Sequence, residues 1–264
     1  MHSTHTLGSE PKGTSTYKEV CLNIGQLEGL SKEEVMTSRV FPVQWHELSP
    51  EEKEKVKKHY PGPGVTKAPD FDFVRFDNGI LMPRLFLPFA DRLYNFEGRE
   101  DDIWIVSFPK SGTTWTMEMV WMLVNNVDKE EAAEPATLRI PFTEMTAMLG
   151  PDPEKLPFAP EMREVMLDPI SYAGKMPKST PRVLKTHLPL DCIPHGIGAN
   201  YHILPFPGAL ERGRIIYVAR NPKDVCVSLF KMLSEPESGF VGDFAQFAEL
   251  FKAGLHVRFC LQKS

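Results

Sequence analysis

Residues 103–127 read IWIVSFPKSGTTWTMEMVWMLVNNV, and they are more informative about the fold than any other part of the chain. The apolar run at residues 103–108 predicts a buried strand, and the turn at residues 109–114 leads it into a helix. The helix is predicted to be amphipathic, with apolar positions at Met119, Val120, Leu123 and Val127. A strand that passes through a short glycine-containing turn into a helix is typical of a phosphate-binding site.

The turn between this strand and this helix has the groups that bind an anion. The first N–H groups of a helix have no acceptor within it, and they lie at the positive end of the helix dipole. Lys110 adds a mobile charge, and Gly112 allows the backbone to approach a ligand closely. The lysine precedes the glycine, so this is not a Walker A loop, and no aspartate suited to Mg²⁺ follows a strand. A P-loop kinase is therefore disfavoured.

Length and composition are those of one ordinary globular domain. The chain has 264 residues, of which 42% are hydrophobic and 25% are charged, and its net charge is −5. This acidic balance argues against a broad basic face for nucleic acid, so any positive site must be local. The four cysteines are widely spaced, which favours reduced thiols: Cys21, Cys192, Cys226 and Cys260.

The hydropathy of the chain and its N-terminal sequence predict where the protein is found. No apolar stretch approaches the roughly 18 residues that a membrane helix needs, and the N-terminus has no secretory signal pattern. We therefore expect a cytoplasmic protein that does not enter a membrane. Residues 1–40 are polar and are predicted to be a disordered extension, and residues 41–264 are predicted to form the folded domain.

Two further apolar segments end in basic or polar residues. Residues 181–187 (PRVLKTH) and 214–220 (RIIYVAR) both predict buried strands, and the second leads into a helix over about residues 223–233. Strands that alternate with helices predict an α/β fold with a central parallel sheet and helices on both faces. Ligands in such sheets bind beyond the carboxyl ends of the strands. The basic residues at these ends are Lys110, Lys185, His187 and Arg220.

These strand ends suit a group-transfer reaction. Alternation along an extended segment places Lys185 and His187 on the same side, where the lysine neutralises developing charge and the histidine takes a proton from a hydroxyl. Arg220 and Ser228 could hold a second phosphate. Simpler interpretations remain open: the KTH segment could be a surface turn, Arg220 could pair only with Asp224, and Ser228 could bond back to its own helix.

Three segments together resemble the cytosolic sulfotransferases, which use 3′-phosphoadenosine 5′-phosphosulfate (PAPS). They are FPKSGTTW at residues 108–115, LKTHLPL at residues 184–190 and YVARNPKDVCVS at residues 217–228. The resemblance implies a single α/β domain with a P-loop-like phosphate-binding turn. It implies an enzyme that moves sulfonate from PAPS to a hydroxyl or amine of a small apolar acceptor such as a phenol, alcohol or steroid. No metal, nucleic acid or membrane partner is implied.

The resemblance also implies which residues bind the cosubstrate. Its 5′-phosphosulfate end would be held by Lys110, Ser111, Gly112, Thr113, Thr114 and Trp115. Trp115 would also stack against the adenine, and Arg220 with Ser228 would hold the 3′-phosphate.

The catalytic and acceptor residues follow from the same resemblance. His187 is similar in position to the family's catalytic base, while Lys185 and Lys110 would act on the charge of the transferring group. Phe142 resembles a residue that lines the acceptor pocket, although a plain core phenylalanine fits the pattern as well.

The end of the chain departs from the family pattern. Residues 256–264 do not resemble the family, and its Gly-rich RKGxxGxW segment is not found. We therefore interpret the domain as C-terminally incomplete. An alternative function follows, in which a truncated, catalytically weak or inactive isoform binds a ligand or partner. The oligomeric state is not predicted.

Overall fold

The computed structural model describes six ranges of the chain: residues 39–60, 72–127, 130–149, 156–194, 213–235 and 239–256. The extension predicted over residues 1–40 lies outside these ranges except for its last two positions, and the tail from residue 257 onwards also lies outside them.

Strands and helices are numbered along the chain within the described ranges. The strands are β1 (Trp45–Glu47), β2 (Phe73–Phe76), β3 (Leu81–Pro83), β4 (Ile103–Ser107), β5 (Val183–Thr186) and β6 (Arg214–Val218). The α-helices are α1 (Pro50–His59), α2 (Leu87–Tyr94), α3 (Thr113–Val124), α4 (Ala136–Arg139), α5 (Pro160–Leu167), α6 (Pro169–Lys175), α7 (Pro222–Leu233) and α8 (Phe244–Lys252). None of the described helices is long and apolar enough to cross a membrane.

A small antiparallel sheet, with strand order β1-β2-β3, precedes the phosphate-binding turn. Helix α1 starts with a capping box: the Glu52 N–H donates to Ser49 Oγ at 3.2 Å, and the Ser49 N–H donates to Glu52 Oε2 at 2.9 Å. Arg75 on β2 donates to Glu52 Oε1 at 2.7 Å, which joins the helix to the sheet. The same glutamate therefore caps the helix and docks it.

The central sheet is parallel, as predicted, and its strand order in the described residues is β5-β4-β6. Its register pairs Val106 with Thr186 and Ser107 with Val218, so the three carboxyl ends lie at one edge. The prediction that β6 is buried is wrong, because its residues are half-buried or exposed and Tyr217 is 60% exposed. Its place in the sheet does not explain this, since β5 is also an outer strand among the described strands and is mostly buried.

Helices cover both faces of this sheet, as predicted. On one face, Met117 and Trp121 of α3 pack against Ile105. On the other face, Ala173 of α6 packs with Trp104 and neighbouring side chains. The part of the core that contacts the central sheet therefore lies in two layers, one on each side of β4.

The apolar face predicted for α3 is wrong at Met119, Leu123 and Val127, which are exposed, and is confirmed only at Val120, which packs against the cluster around Ile105. Met119 is 56% exposed and Leu123 is 76% exposed, whereas the side facing the sheet carries Thr113, Met117 and Trp121. Apolar residues lie on more than one side of this helix, so hydrophobicity alone does not define the buried face. The direction in which the turn leads the chain into the helix decides which face meets the sheet.

A buried ion pair joins the amino ends of β4 and β5. Arg182 donates from Nε to Asp102 Oδ1 at 2.7 Å and from Nη2 to Asp102 Oδ2 at 2.6 Å. The Arg99 N–H also donates to Asp102 Oδ2 at 2.7 Å. Both charged side chains are almost completely buried, so this pair holds the sheet at the end opposite to the phosphate-binding turn.

Candidate active site

The turn between β4 and α3 forms an open cradle at the carboxyl edge of the sheet. Lys110 and Gly112 both have positive φ, at 67° and 106°, and Gly112 is the residue that caps α3. The Thr116 N–H donates to Gly112 O at 3.1 Å and closes the first turn of the helix. The first N–H groups of α3 therefore face away from the helix, toward the edge where the three strands end.

A hydroxyl contact fixes the cradle to its strand. Ser107 is the last residue of β4, and its Oγ lies 2.6 Å from Thr113 Oγ1 at the start of α3. Both side chains are buried. Since this contact joins the two ends of the turn, the helix start cannot move independently of the sheet.

Arg220 connects the cradle to the end of β6. Its Nη1 donates to the carbonyl oxygen of Lys110 at 3.0 Å, across 110 positions of sequence. The side chain of Arg220 is otherwise exposed, so it retains donors that can reach a ligand. Ser228 lies on α7, half-buried, and Trp115 is 78% exposed beside the cradle.

The imidazole of His187 is held by the end of β4. Its Nδ1 lies 2.7 Å from the carbonyl oxygen of Ser107 and 3.3 Å from Ser107 Oγ. Because a carbonyl oxygen can only accept, Nδ1 carries the ring proton in the neutral imidazole, and Nε2 is the nitrogen with a lone pair. The contact therefore selects the tautomer in which Nε2 can accept a proton.

Phe142 contacts both Lys185 and His187. Lys185 Nζ lies 4.2 Å from the centre of the Phe142 ring, and the ring centres of Phe142 and His187 are 5.2 Å apart. Backbone bonds set this arrangement, because the Lys185 N–H donates to Pro141 O and the Thr143 N–H donates to Lys185 O, each at 3.0 Å. Phe142 is 9% exposed and joins a core cluster, so it is at once a core residue and a neighbour of the candidate catalytic groups.

The pKa of Lys185 lies well below that of an ordinary lysine. Burial lowers the pKa of its ammonium group to about 8, and the nearby charge of Glu144 acts in the opposite direction. At pH 7 most of this lysine is protonated, so it can act as a cation next to His187.

Glu144 is a site residue that sequence reasoning missed. Its side chain is 3% exposed, and it accepts hydrogen bonds from the His187 N–H at 2.5 Å and from Thr186 Oγ1 at 2.9 Å. The pKa of this carboxyl lies above its usual value, because the effect of burial outweighs the hydrogen bonds and the charge of Lys185, which act to lower it. Spacing could not reveal this contact, because 43 positions separate Glu144 from His187.

The structure brings most of the predicted residues to one edge of the sheet. Hydrogen bonds or ring contacts join Lys110 to Arg220, Ser107 to His187, and Phe142 to both Lys185 and His187. In the described ranges, no group of three or more His, Cys, Asp or Glu side chains is placed to hold a metal ion. A glycine-containing turn at a helix start, with Lys185 and His187 against an apolar ring at the same edge, suits transfer of an anionic group to a hydroxyl.

Comparison with known families gives one match to a domain model. A model described as "Sulfotransferase domain" matches residues 100–257, which is more than half of the chain. The matched residues include β4, the cradle, β5 and β6.

Curated proteins similar to this chain carry related names. The luciferin sulfotransferase of Photinus pyralis is 34% identical over 175 residues, which are 63% of this chain and 42% of that protein. Sulfotransferase 1E1 of Homo sapiens is 31% identical over 182 residues, which are 67% of this chain and 51% of that protein. The chain spans about half the length of the curated relatives it matches.

Two solved structures are similar to this chain in fold. Retinol dehydratase in a complex with retinol and PAP superimposes with a TM-score of 0.66 at 26% identity, over 83% of this chain and 64% of that chain. Retinol dehydratase in complex with androsterone and the inactive cofactor PAP also gives a TM-score of 0.66, at 27% identity, over 83% of this chain and 63% of that chain.

Proposed function

This chain belongs to the sulfotransferase domain family, and we propose that it transfers a sulfonate group from PAPS to a hydroxyl or amine of a small apolar acceptor. The observation that carries the proposal is the convergence of Lys110, Lys185, His187 and Arg220 at one edge of the sheet. The similar retinol dehydratase structures are complexes of PAP with retinol or androsterone, which supports a nucleotide beside an apolar acceptor.

The cradle fits the phosphate end of such a cosubstrate. Lys110 and Gly112 have the positive φ values that turn the backbone around an anion, and the helix start offers the N–H groups of Thr113 and Thr114. We propose that Ser111 also binds the phosphate end of the cosubstrate. PAPS would supply the sulfonate group; the bond between its sulfur and the 5′-phosphate oxygen would break, and PAP would leave with the negative charge on that oxygen.

Three residues around the cradle would hold the rest of the nucleotide. Arg220 retains guanidinium donors for the 3′-phosphate, with Ser228 on α7 as its neighbour in this role. The exposed ring of Trp115 offers a flat surface for the adenine.

His187 is the proposed base. Because its Nδ1 donates to Ser107 O, its Nε2 is the atom that accepts the proton from the acceptor hydroxyl. Phe142 packs against the ring and would form an apolar wall for the acceptor. The reaction needs a neutral imidazole, and this tautomer provides one with the lone pair on the correct nitrogen.

Lys185 and Lys110 would stabilise the charge that develops during transfer. Lys185 lies beside Phe142, half-buried, where the low dielectric strengthens its interaction with an anion. Lys110, at the cradle, would act on the leaving oxygen. These two lysines supply the positive charge that the transfer needs, so the proposal includes no metal.

We also propose that the reaction takes place in the cytoplasm.

The direct test is sulfonate transfer by the purified chain. It would be incubated with PAPS and a panel of phenols, aliphatic alcohols, steroids and amines, and sulfated products would be measured by mass spectrometry. The His187→Ala variant should lose turnover while PAP affinity, measured by calorimetry, changes little. His46→Ala removes an exposed histidine on β1 and is the matched control, which should leave both quantities unchanged. If folded wild-type protein forms no product from any acceptor, the proposal is wrong.

A further inference from the structure

We propose that Glu144 is a positioning residue for the transfer reaction: its buried carboxylate holds the end of β5 so that His187 and Lys185 keep their places beside the acceptor. This inference rests on the proposed function. It concerns a residue that lies beneath the site and that is predicted to act through its neighbours.

Both oxygens of Glu144 are used at the end of β5. Oε1 accepts from the His187 N–H at 2.5 Å, while Oε2 accepts from Thr186 Oγ1 at 2.9 Å and from Thr143 Oγ1 at 2.8 Å. The Leu188 N–H in turn donates to Thr186 Oγ1 at 3.1 Å, which leaves the hydroxyl proton of Thr186 for the carboxylate. One side chain therefore bonds directly to Thr186 and His187 where the strand ends, and reaches Leu188 through the Thr186 hydroxyl.

These contacts decide where the proposed base points. The backbone of His187 is held by Glu144, and its ring is held by Ser107 through the bond from Nδ1. Because both the backbone and the ring of His187 are held by hydrogen bonds, Nε2 can point in only one direction. General-base catalysis is sensitive to this direction, because a displacement of about 1 Å can cost about a hundredfold in rate.

The charge of Glu144 also acts on Lys185. Burial lowers the pKa of Lys185, and the negative charge of Glu144 opposes that effect; burial likewise raises the pKa of Glu144, and the charge of Lys185 opposes that rise. Other charged or titratable groups face Glu144 as well: Cys192 interacts with it, and Arg92 and Asp168 line a small cavity beside it. Arg92 and Asp168 pair with each other at 2.8 Å, and burial keeps the Cys192 thiol protonated, so Lys185 is the cation that Glu144 most affects.

The experiment compares E144Q and E144A with the wild type. E144Q has the same shape and no charge, whereas E144A removes all the hydrogen bonds. For each protein, kcat, the KM of PAPS and the KM of an aliphatic alcohol would be measured between pH 6 and pH 9.5. Glu249→Gln on α8 changes an exposed carboxylate and is the matched control.

We expect E144Q to lower kcat about tenfold while the KM of PAPS changes by less than about twofold. The pH at which activity falls on the alkaline side should also move down by roughly half a unit or more, because Lys185 loses the charge that favours its protonated form. E144A should lose more of kcat than E144Q. Glu249→Gln should leave kcat, the KM of PAPS and the pH of the alkaline fall unchanged.

The result that would overturn the proposal is a folded E144Q protein whose kcat and pH profile equal those of the wild type. Loss of thermal stability alone, with an unchanged pH profile, would also overturn it, since that is the outcome for a purely structural carboxylate. If neither E144Q nor E144A folds, E144D keeps the charge on a shorter side chain. E144D should then retain the alkaline midpoint and lose kcat, and an unchanged kcat would refute the positioning role.

A second readout separates this proposal from the proposed function. In protein without substrate, the ¹⁵N resonances of the His187 ring and the titration of Lys185 can be followed by NMR. E144Q, or E144D if E144Q does not fold, should change the His187 resonances whether or not the wild type transfers sulfonate. Unchanged resonances would refute the positioning role, whereas absence of turnover alone would refute only the proposed function.

Discussion

Breaking the buried ion pair between Asp102 and Arg182 should destabilise the whole domain. The side chains of Asp102 and Arg182 are 0% and 2% exposed. In Asp102→Asn, Arg182 remains held by Ala173 O at 2.9 Å and by its place 5.0 Å from the Phe96 ring. Because its guanidinium stays buried, its positive charge would remain without a negative partner.

The expected cost is about 3–5 kcal/mol of unfolding free energy. For a domain of this size that corresponds to a fall in Tm of about 6–20 °C. Urea unfolding followed by circular dichroism, together with calorimetry, would measure both quantities. Glu164→Gln breaks the exposed pair with Lys175 and serves as the control, in which no measurable change is expected.

A double variant tests the physical reason. Asp102→Leu combined with Arg182→Met removes both charges, so it should be more stable than Asp102→Asn alone. The reasoning would be refuted if Asp102→Asn unfolded at the same urea concentration as the wild type. It would also be refuted if removing both charges cost as much as the sum of the two single changes.

Three further predictions concern the site and the sheet. Activity with an aliphatic alcohol should fall above about pH 8, because Lys185 is charged only below its pKa; in Lys185→Arg this alkaline fall should disappear, and its persistence would exclude Lys185 as the titrating group. Arg220→Ala should weaken PAP binding about tenfold or more in calorimetry while Tm stays unchanged, and equal affinity would remove this residue from the site. Gly213→Ala should cost about 1–2 kcal/mol in urea unfolding, because its φ is +75° and a Cβ would lie 3.1 Å from the carbonyl oxygen of Asp102. Gly174→Ala, which would meet nothing within 4 Å in helix α6, is its control, and equal effects of the two changes would contradict the strain argument.

The cradle could be predicted from sequence because its parts are neighbours in the chain. A strand, a turn with Gly112 and a helix start follow one another within residues 103–124, and their geometry depends on local backbone rules. Lys185 and His187 could be predicted to share a ligand for the same reason, since strand alternation relates residues two positions apart. The roles assigned to these residues stay predictions until the activity is measured.

The two wrong predictions have a common cause. Burial of β6 and of the Met119 side of α3 depends on which neighbours these elements meet, and an apolar sequence does not specify its neighbours. β5 and β6 are both outer strands of the described sheet, yet only β5 is mostly buried, and helix α3 turns another apolar side toward Ile105.

Local patterns in the chain were enough to specify the parallel α/β class, the phosphate-binding turn and the basic residues at the strand ends, because each depends on residues close together in sequence. The folded arrangement was needed to show that Ser107 O selects the His187 tautomer and that Glu144 lies beneath it, across 80 and 43 positions respectively. Hydrogen bonds between distant segments form only when strand pairing has set their register. No short stretch of the chain contains that information.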